Sequence, residues 1–304
     1  MELIYLYSND LFKDKMSNDT NLVCTIGVFD GVHRGHKLIF DKLLSEAKKL
    51  DAKSIVFTFD PHPDYVLSKR KNQGYLLPLD ERINAFRQLG VDYCCIIRCD
   101  EALVNMSYQE FNARFLVEMN AIIVGSDFRY GKAAKGSIET LKEVTPHLIV
   151  VPVLKDEAGK KIGSEDIRRL LDQGKVKEAN KLLLKKYIIA GIVSHGNAIG
   201  SMMGLKTANI RLEDNDFIIK DGVYKCNAII NHIRYKAICN IGTNPTIASN
   251  NKRSLEVHLL NFDGDLYGKF MLVEFVDYLR DEIKFDSLEE LKAQILKDIE
   301  RIKD

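Results

Sequence analysis

The N-terminal half of the chain alternates short apolar runs with patterns typical of helices. The apolar runs cover residues 22–28, 55–59, 93–97, 121–124 and 148–153. Between the first two runs, Ile39, Leu43 and Ala47 recur at the spacing of one helix face. Because strands that alternate with helices form parallel sheets, this half is predicted to be an α/β domain with a doubly wound parallel sheet.

The second half has a different pattern, which begins near residue 185. Short apolar segments follow one another at residues 188–193, 225–231, 235–241, 255–260 and 270–276, with Gly- and Asp-containing turns between several of them. This spacing predicts a small antiparallel β-barrel. A terminal helix is predicted from about Ser287 to Ile302, with Ser287 and Glu290 as a capping box. The predicted domains are therefore residues 1–185 and 186–304.

Composition and charge narrow the classes of partner. Of 304 residues, 46% are apolar and 29% charged, and the net charge is +1, which argues against nucleic acid as a partner. No apolar run approaches the ~20 residues that a membrane span needs, and the N-terminus is too charged for a signal peptide. We therefore expect a cytoplasmic protein without a membrane partner. The six cysteines include no Cys-x-x-Cys pair and are expected to be buried, reduced thiols.

The turn after the first apolar run carries unusual chemistry. Residues 29–36 read Phe-Asp-Gly-Val-His-Arg-Gly-His and lead directly into the first helical pattern. His33 and His36 are three residues apart at a helix start, so they share a face. Gly31 and Gly35 let a ligand approach the backbone, and a helix N-terminus attracts anions. Imidazole donors in this position favour the phosphates of a nucleotide as the ligand.

Two further polar loops are predicted at the same edge of the sheet. Asp60-Pro61-His62-Pro63 follows the second apolar run, and residues 125–132 follow the fourth. Open α/β sheets bind ligands outside the carboxyl ends of their strands. The loops are therefore candidate ligand contacts, although the prolines alone are equally consistent with a rigid turn.

The His-x-Gly-His signature resembles the cytidylyltransferase-like nucleotidyltransferase superfamily. The longer string of residues 27–36, together with Thr58-Phe59-Asp60-Pro61-His62-Pro63, resembles the prokaryotic bifunctional riboflavin kinase/FAD synthetase family. The resemblance implies an N-terminal Rossmann-like nucleotidyltransferase domain that adenylylates FMN to FAD. It also implies a C-terminal barrel that phosphorylates riboflavin to FMN, with ATP as the substrate of both reactions and Mg²⁺ as a cofactor.

In the N-terminal half, the resemblance implies three groups of site residues. Stabilisation of the reacting phosphates falls to His33, His36 and Arg168. The nucleotide-binding residues are Gly27, Phe29, Asp30, Gly31, Gly35 and Ser164. The flavin-binding residues are Pro61, His62, Asp127 and Phe128. The chain departs from the family pattern at Gly163 and Glu165, where Ser and Thr are expected, and a carboxylate there would compete with phosphate for the helix N-terminus.

In the C-terminal half, the resemblance implies that Glu256 is the general base of the kinase reaction. Thr207 and Asn209 would hold Mg²⁺, which prefers hard oxygen ligands. The predicted nucleotide-binding residues are Gly196, Gly200, Gly204 and Thr207. The predicted flavin-binding residues are Gly222, Tyr224, Arg280 and Phe285. Lys206 stands where the family has proline, and Ser201 where it usually has arginine.

Other functions remain open at this stage. The departures at Gly163 and Glu165 would fit a paralogue that has lost FAD synthesis, and those at Ser201 and Lys206 one that has lost the kinase activity. A non-catalytic flavin- or nucleotide-binding regulator that keeps the fold is the alternative from a different class. If the chain is the bifunctional enzyme, riboflavin, FMN and ATP are its expected small-molecule partners. The sequence leaves the oligomeric state undecided.

Overall fold

The computed structural model describes residues 1–16, 21–67, 74–145, 147–157, 159, 161–194, 207–212, 217, 219–243 and 253–302. Contacts divide the chain into two compact units, residues 1–73 with 77–164 and residues 74–76 with 165–304. The domain boundary predicted between residues 185 and 186 was drawn from the sequence pattern, whereas these two units are defined by contacts. The predicted boundary therefore stays a prediction. Five residues of interest in the second half lie outside the described residues: Gly196, Gly200, Ser201, Gly204 and Lys206.

The first unit contains the predicted parallel sheet. Its strands are β1 (Glu2–Leu6), β2 (Leu22–Ile26), β3 (Lys53–Asp60), β4 (Tyr93–Arg98), β5 (Ala121–Gly125) and β6 (Leu148–Val151), in the order β1-β4-β3-β2-β5-β6. All five neighbouring pairs are parallel. Every residue of β2 is buried, as expected for a central strand covered on both faces, which is why the strand reads as a continuous apolar run.

The helices of the first unit connect these strands. They are α1 (Arg34–Lys49), α2 (Pro63–Val66), α3 (Leu79–Leu89), α4 (Glu101–Asn105), α5 (Tyr108–Phe111) and α6 (Ile138–Leu141), and a π-helical turn covers Asn112–Leu116. Two short 3₁₀ turns lie at Phe12–Asp14 and Lys132–Ala134. On the predicted apolar face of α1, Leu43 and Ala47 are buried and Ile39 is half-buried.

The second unit contains the predicted antiparallel barrel. Its strands are β7 (Ile188–Ser194), β8 (Thr207–Ile210), β9 (Gly222–Ile230), β10 (Ile233–Thr243), β11 (Arg253–Leu259) and β12 (Phe270–Arg280). They close in the order β10-β11-β8-β7-β12-β9. Alternate residues such as Ala208, Ile210, Leu255 and Val257 fill the interior, so the intervening polar residues face outward.

The described residues of the second unit also form the helices α7 (Ser164–Asp172), α8 (Val176–Leu182) and the terminal α9 (Leu288–Glu300), although Ser164 itself belongs to the first unit. The hydroxyl of Ser287 accepts the backbone N–H of Glu290 at 3.2 Å, as predicted. The Glu290 carboxylate accepts the backbone N–H of Asp286 at 3.3 Å, so the reciprocal bond of the capping box comes from one residue before the N-cap. The fold class predicted from the sequence is thus confirmed in both halves.

All six cysteines are buried and free, as predicted. Over the part of the chain that the structure describes, no helix has both the length and the apolar character needed to cross a lipid bilayer. Within the same residues, no group of three or more His, Cys, Asp or Glu side chains is arranged to hold a metal ion.

Candidate active sites

The turn between β2 and α1 holds two histidines in a reciprocal cap. His33 is the N-cap of α1, and its Nδ1 accepts the backbone N–H of His36 at 3.3 Å. Nδ1 of His36 accepts the backbone N–H of His33 at 3.4 Å. The two rings stack with their centroids 3.6 Å apart. The histidines predicted to share a face are therefore fixed against each other by the start of the helix itself.

The protonation of this pair follows from its surroundings. Desolvation by burial lowers the pKa of His33 to about 4, with a further lowering from the Lys161 charge and opposing effects from Asp30 and Asp127. Desolvation also lowers the pKa of His36 well below its usual value, helped by His33 and Lys161. Both rings are neutral near neutral pH. Because each Nδ1 accepts a hydrogen bond, the proton of each ring is assigned to Nε2, which is left as a neutral donor.

The backbone of this turn is compact and strained. A Cβ on Gly35 would lie 3.1 Å from the His33 ring, and one on Gly27 would lie 3.0 Å from the Phe29 ring. Phe29 and Val32 have positive φ values of 54° and 38°, which side-chain-bearing residues rarely adopt. Strain of this kind persists where the surrounding structure over-determines it, and it is concentrated at ligand and active sites.

Asp30 and Ser164 connect the turn to the rest of the first unit. The carboxylate of Asp30 accepts the backbone N–H of Leu77 at 3.2 Å, and its carbonyl oxygen accepts the Ser164 hydroxyl at 2.9 Å. Ser164 is the first residue of α7. Glu165, whose carboxylate was expected to compete with phosphate, is exposed to solvent.

A buried arginine that the sequence interpretation missed supports this sheet edge. Arg82 of α3 is fully buried. Its Nη1 donates to the Val28 carbonyl at 2.8 Å, the Thr58 hydroxyl at 3.1 Å and the Phe59 carbonyl at 3.4 Å. It thereby joins the ends of β2 and β3. The available signal was its position four residues before Phe86, on the apolar face of the helix.

The two other predicted loops follow the carboxyl ends of β3 and β5. His62, directly after Pro61, caps the short α2 and accepts the backbone N–H of Asp64 on its Nδ1 at 3.1 Å. Asp127 forms an ion pair with Lys161. Phe128 stacks on Tyr130 with the ring centroids 5.4 Å apart. These residues lie in the loops after β3 and β5, at the carboxyl ends of the strands, as the sequence predicted. Their contact with a flavin stays a prediction.

Arg168 has its described contacts within the second unit. The side chain is 2% exposed, and its Nη1 donates to the Gly74 carbonyl at 2.9 Å. Its guanidinium carbon lies 5.1 Å from the centroid of the Phe217 ring. The predicted role of Arg168 at a triphosphate therefore stays a prediction.

In the second unit, strand register brings distant residues into one row on the outside of the barrel. Asn209 of β8 pairs with Glu256 of β11, and Glu256 pairs with Asn240 of β10. Asn240 pairs with Val223 of β9, which in turn pairs with Arg280 of β12. A register shift between Tyr278 and Arg280 interrupts the alternation just before the last member of the row. Such shifts re-aim a side chain at the end of a strand.

A cavity of about 530 Å³ lies over this row, beneath α9 and the segment that precedes it. Four predicted site residues line it: Thr207, Glu256, Arg280 and Phe285. Asn209 is the cross-strand neighbour of Glu256. The sequence did not assign His258, Asn240 and Glu282, which line the same cavity. For Asn240 and His258 the signal was the alternation along β10 and β11, which puts both residues on the outward face together with Glu256.

Two predicted flavin contacts lie elsewhere in the barrel. Tyr224 is fully buried inside it, and its hydroxyl donates to the Lys220 carbonyl at 2.5 Å. Gly222 has a φ of 145°, and a Cβ there would lie 2.7 Å from the Arg280 carbonyl oxygen. Neither residue is among the described residues that line the cavity. Gly222 instead allows β9 to approach the backbone of Arg280.

The electrostatics of the cavity favour a base. Desolvation by burial raises the pKa of Glu256, and the carboxylate of Glu282 raises it further. The positive charge of Arg280 is already paired with a buried carboxylate, because its Nε donates to Asp298 at 2.9 Å. Glu256 thus combines a raised proton affinity with access to a cavity large enough for an organic ligand.

Comparison with known proteins gives a consistent assignment for both halves. A family model described as FAD synthetase matches residues 15–166, and one described as riboflavin kinase matches residues 183–304. A relative from Listeria monocytogenes is 34% identical over 303 residues, covering 98% of this chain and 96% of its own length. A relative from Bacillus subtilis is 33% identical over 306 residues, with the same coverages of 98% and 96%. Both are named bifunctional riboflavin kinase/FMN adenylyltransferase.

A solved structure is also similar over the full length. It is described as a macrolide-efflux protein from Streptococcus pneumoniae, with a TM-score of 0.89 and 31% sequence identity, and the match covers 100% of this chain and 99% of that one. An Escherichia coli K12 relative, again named bifunctional riboflavin kinase/FMN adenylyltransferase, is 34% identical over 283 residues, or 91% of this chain and 90% of its own length.

Proposed function

This chain belongs to the family of bifunctional riboflavin kinases/FMN adenylyltransferases, and from that premise we propose that each of its units carries out one of two consecutive reactions. The barrel phosphorylates riboflavin to FMN, and the parallel-sheet unit adenylylates FMN to FAD. ATP is the second substrate of both reactions. The observation that carries the proposal is that the chain contains two separately built polar sites, one on each unit.

In the kinase reaction, Glu256 acts as the general base. The 5′-hydroxyl oxygen of the ribityl chain forms a bond to the γ-phosphorus of ATP, and the bond from that phosphorus to the β–γ bridging oxygen breaks. The hydroxyl proton passes to Glu256, and ADP leaves. The raised pKa of Glu256 makes it a stronger base than an exposed glutamate. Arg280 and Phe285 line the same cavity and are proposed to contact the flavin.

The residues beside Glu256 suit a magnesium ion. Thr207 and Asn209 are two residues apart on β8 and face outward between the buried Ala208 and Ile210. The Thr207 hydroxyl and the Asn209 amide oxygen are hard ligands of the kind that Mg²⁺ prefers, and Asn209 is the cross-strand neighbour of Glu256. A magnesium ion bound there would neutralise charge on the phosphates of ATP.

In the adenylyl transfer, the histidine pair acts on the phosphates of ATP. A phosphate oxygen of FMN attacks the α-phosphorus, and the bond to the departing pyrophosphate breaks. The Nε2–H groups of His33 and His36 donate to phosphate oxygens, and the N-terminus of α1 adds its partial positive charge. Neutral donors stabilise the developing charge without taking up a proton. Ser164 is proposed as a further nucleotide contact.

The test is a time course with riboflavin, ATP and Mg²⁺, in which riboflavin, FMN and FAD are separated by chromatography. The proposal predicts that FMN is formed first and FAD later. FMN without FAD would leave only the kinase assignment, and conversion of added FMN but not of riboflavin would leave only the adenylyltransferase. Flavin binding without any conversion would favour the non-catalytic regulator. A cytoplasmic location, proposed from the biosynthetic role, is tested by cell fractionation.

A further inference from the structure

Asn240 has an unassigned place in the middle of the polar row. It lies between Glu256 and Val223 in the strand register and lines the cavity. Its Nδ2 donates to Glu282 Oε1 at 3.0 Å. Because a carboxylate oxygen can only accept, this bond identifies the amide nitrogen and fixes the orientation of the side chain. The amide oxygen Oδ1 therefore points away from Glu282.

That oxygen is buried and has no hydrogen-bond donor within the described residues. A buried amide oxygen without a donor costs free energy, so in a ligand cavity it is a natural acceptor for a ligand N–H or O–H group. Asn240 also lies beside the proposed general base. An acceptor at this position is suited to a hydroxyl of a polyhydroxylated chain whose terminal hydroxyl faces Glu256.

Gly242 makes the position of Glu282 possible. A Cβ on Gly242 would lie 1.9 Å from Glu282 Oε1 and 2.4 Å from its Cδ, so the carboxyl group occupies the space that any other residue would fill. The atoms in conflict are at the end of a flexible side chain. A methyl group at position 242 is therefore expected to displace Glu282 while leaving the barrel folded.

We propose that Asn240 is a substrate-binding residue that accepts a hydrogen bond from a secondary hydroxyl of the riboflavin ribityl chain, and that Glu282 is the positioning residue that holds the Asn240 amide in the required orientation. The inference rests on the proposed kinase function and adds a determinant of its specificity. It explains how a substrate with four hydroxyl groups is held so that one of them faces the base.

Glu282 has a second, electrostatic effect on Glu256, which gives the test a separate readout. The titratable and charged groups that line the cavity around Glu256 are Cys239, His258, Arg280, Glu282, Asp286 and Asp298. The charge of Arg280 is engaged by Asp298. The Glu282 carboxylate raises the pKa of Glu256, so removal of its charge is expected to move the acid limb of the kinase pH profile to lower pH.

The test compares kcat/KM for riboflavin in Asn240→Ala, Glu282→Ala, Glu282→Gln and Gly242→Ala. Loss of one neutral hydrogen bond predicts a reduction of about 3- to 10-fold in Asn240→Ala and in Glu282→Ala. The double variant Asn240→Ala/Glu282→Ala should have a kcat/KM no lower than that of the less active single variant, because both changes remove the same interaction. Gly242→Ala should behave like Glu282→Ala. Glu282→Gln keeps an acceptor for Nδ2, so it should retain most activity near neutral pH and shift only the acid limb.

Riboflavin analogues that each lack one ribityl hydroxyl identify the bond. With one of them, the deficit of Asn240→Ala should disappear, because the contact is already missing. Equal deficits with riboflavin and with every analogue would overturn the proposal, as would full activity of Glu282→Ala. Hydrogen exchange of the barrel amides reports whether the barrel of each variant is correctly folded. If the wild-type protein binds riboflavin without phosphorylating it, the same variants are compared by their affinity for riboflavin, measured by flavin fluorescence.

Discussion

The two sites of this chain are assembled in opposite ways. The histidine site comes from eight consecutive residues, and both Nδ1 atoms are satisfied by backbone N–H groups of the same turn. The barrel site collects Asn209, Glu256 and Arg280 from three strands through their register. The first is a local structure that a short motif can encode. The second exists only when the barrel has closed.

The electrostatic designs differ in the same way. Burial keeps His33 and His36 neutral, so they can donate hydrogen bonds to phosphate without titrating near neutral pH. Burial and a neighbouring carboxylate raise the pKa of Glu256, which makes it a better proton acceptor. The difference matches the chemistry proposed for each unit. Attack by an alcohol requires removal of a proton, whereas attack by the phosphate of FMN does not.

The largest expected effect comes from removing the proposed general base, Glu256, which should affect only the kinase reaction. Glu256→Gln keeps the size of the side chain and removes the proton acceptor. We expect riboflavin phosphorylation to fall by about 10²- to 10⁴-fold, as is typical for loss of a general base. FMN adenylylation should be unchanged, and it serves as the internal control. A rate of FMN formation within threefold of wild type would remove Glu256 from the reaction.

His36→Ala is the reciprocal change. It removes one phosphate donor and the side-chain half of the reciprocal cap. FAD formation from FMN is expected to fall by about 10²- to 10³-fold, as for other preorganised donors to a reacting group, while riboflavin phosphorylation persists. His36→Asn keeps a donor and should recover part of the rate. Equal losses in both reactions would indicate damage to the fold instead.

Arg82→Met tests whether the first site depends on buried support. The substitution leaves the Val28 and Phe59 carbonyls without their charged donor, so the free energy of unfolding of the parallel-sheet unit should fall by about 3 kcal/mol. Hydrogen exchange of β2 and β3 amides would measure this, with barrel amides as the internal reference. Arg87→Met, on the exposed face of the same helix, is the matched control and should have little effect.

The pH responses should also differ between the sites. Since the pKa of His33 is about 4 and that of His36 is well below 6.5, the NMR signals of both rings should stay constant between about pH 5.5 and pH 8. The kinase rate should instead fall about tenfold per pH unit on the acid side, below a pKa that lies above the ordinary 4.5 of glutamate. Titration of either histidine near pH 6.5 would contradict the neutral-donor description.

The smallest effect is expected at the departure from the family pattern. Glu165 is exposed, so solvent screens its charge from a phosphate bound at the turn. Restoration of the expected residues, Gly163→Ser with Glu165→Thr, should change FAD formation by less than about threefold. An increase of tenfold or more would mean that Glu165 does act on the nucleotide.

The difference between the two sites explains what the sequence could predict. The histidine turn was visible because its residues are contiguous and flanked by a strand and a helix. The alternation of apolar runs also predicted the parallel sheet and the barrel. The sequence assigned no role to Asn240 or Glu282, since strand register and the position of the segment after β12 are set by long-range packing. Arg82 was missed for the same reason, because its acceptors are carbonyl oxygens of other elements.

The most direct measurement is the conversion of riboflavin by Glu256→Gln and His36→Ala, each alone and then mixed, with FMN and FAD followed over time. If the two sites work independently, the first variant forms FAD only from added FMN, and the second stops at FMN. The mixture should then make FAD from riboflavin, because FMN released by one variant is used by the other. Failure of the mixture to form FAD, although each variant retains its single reaction, would contradict independent sites. Loss of both reactions in either variant would contradict the assignment of one reaction to each unit.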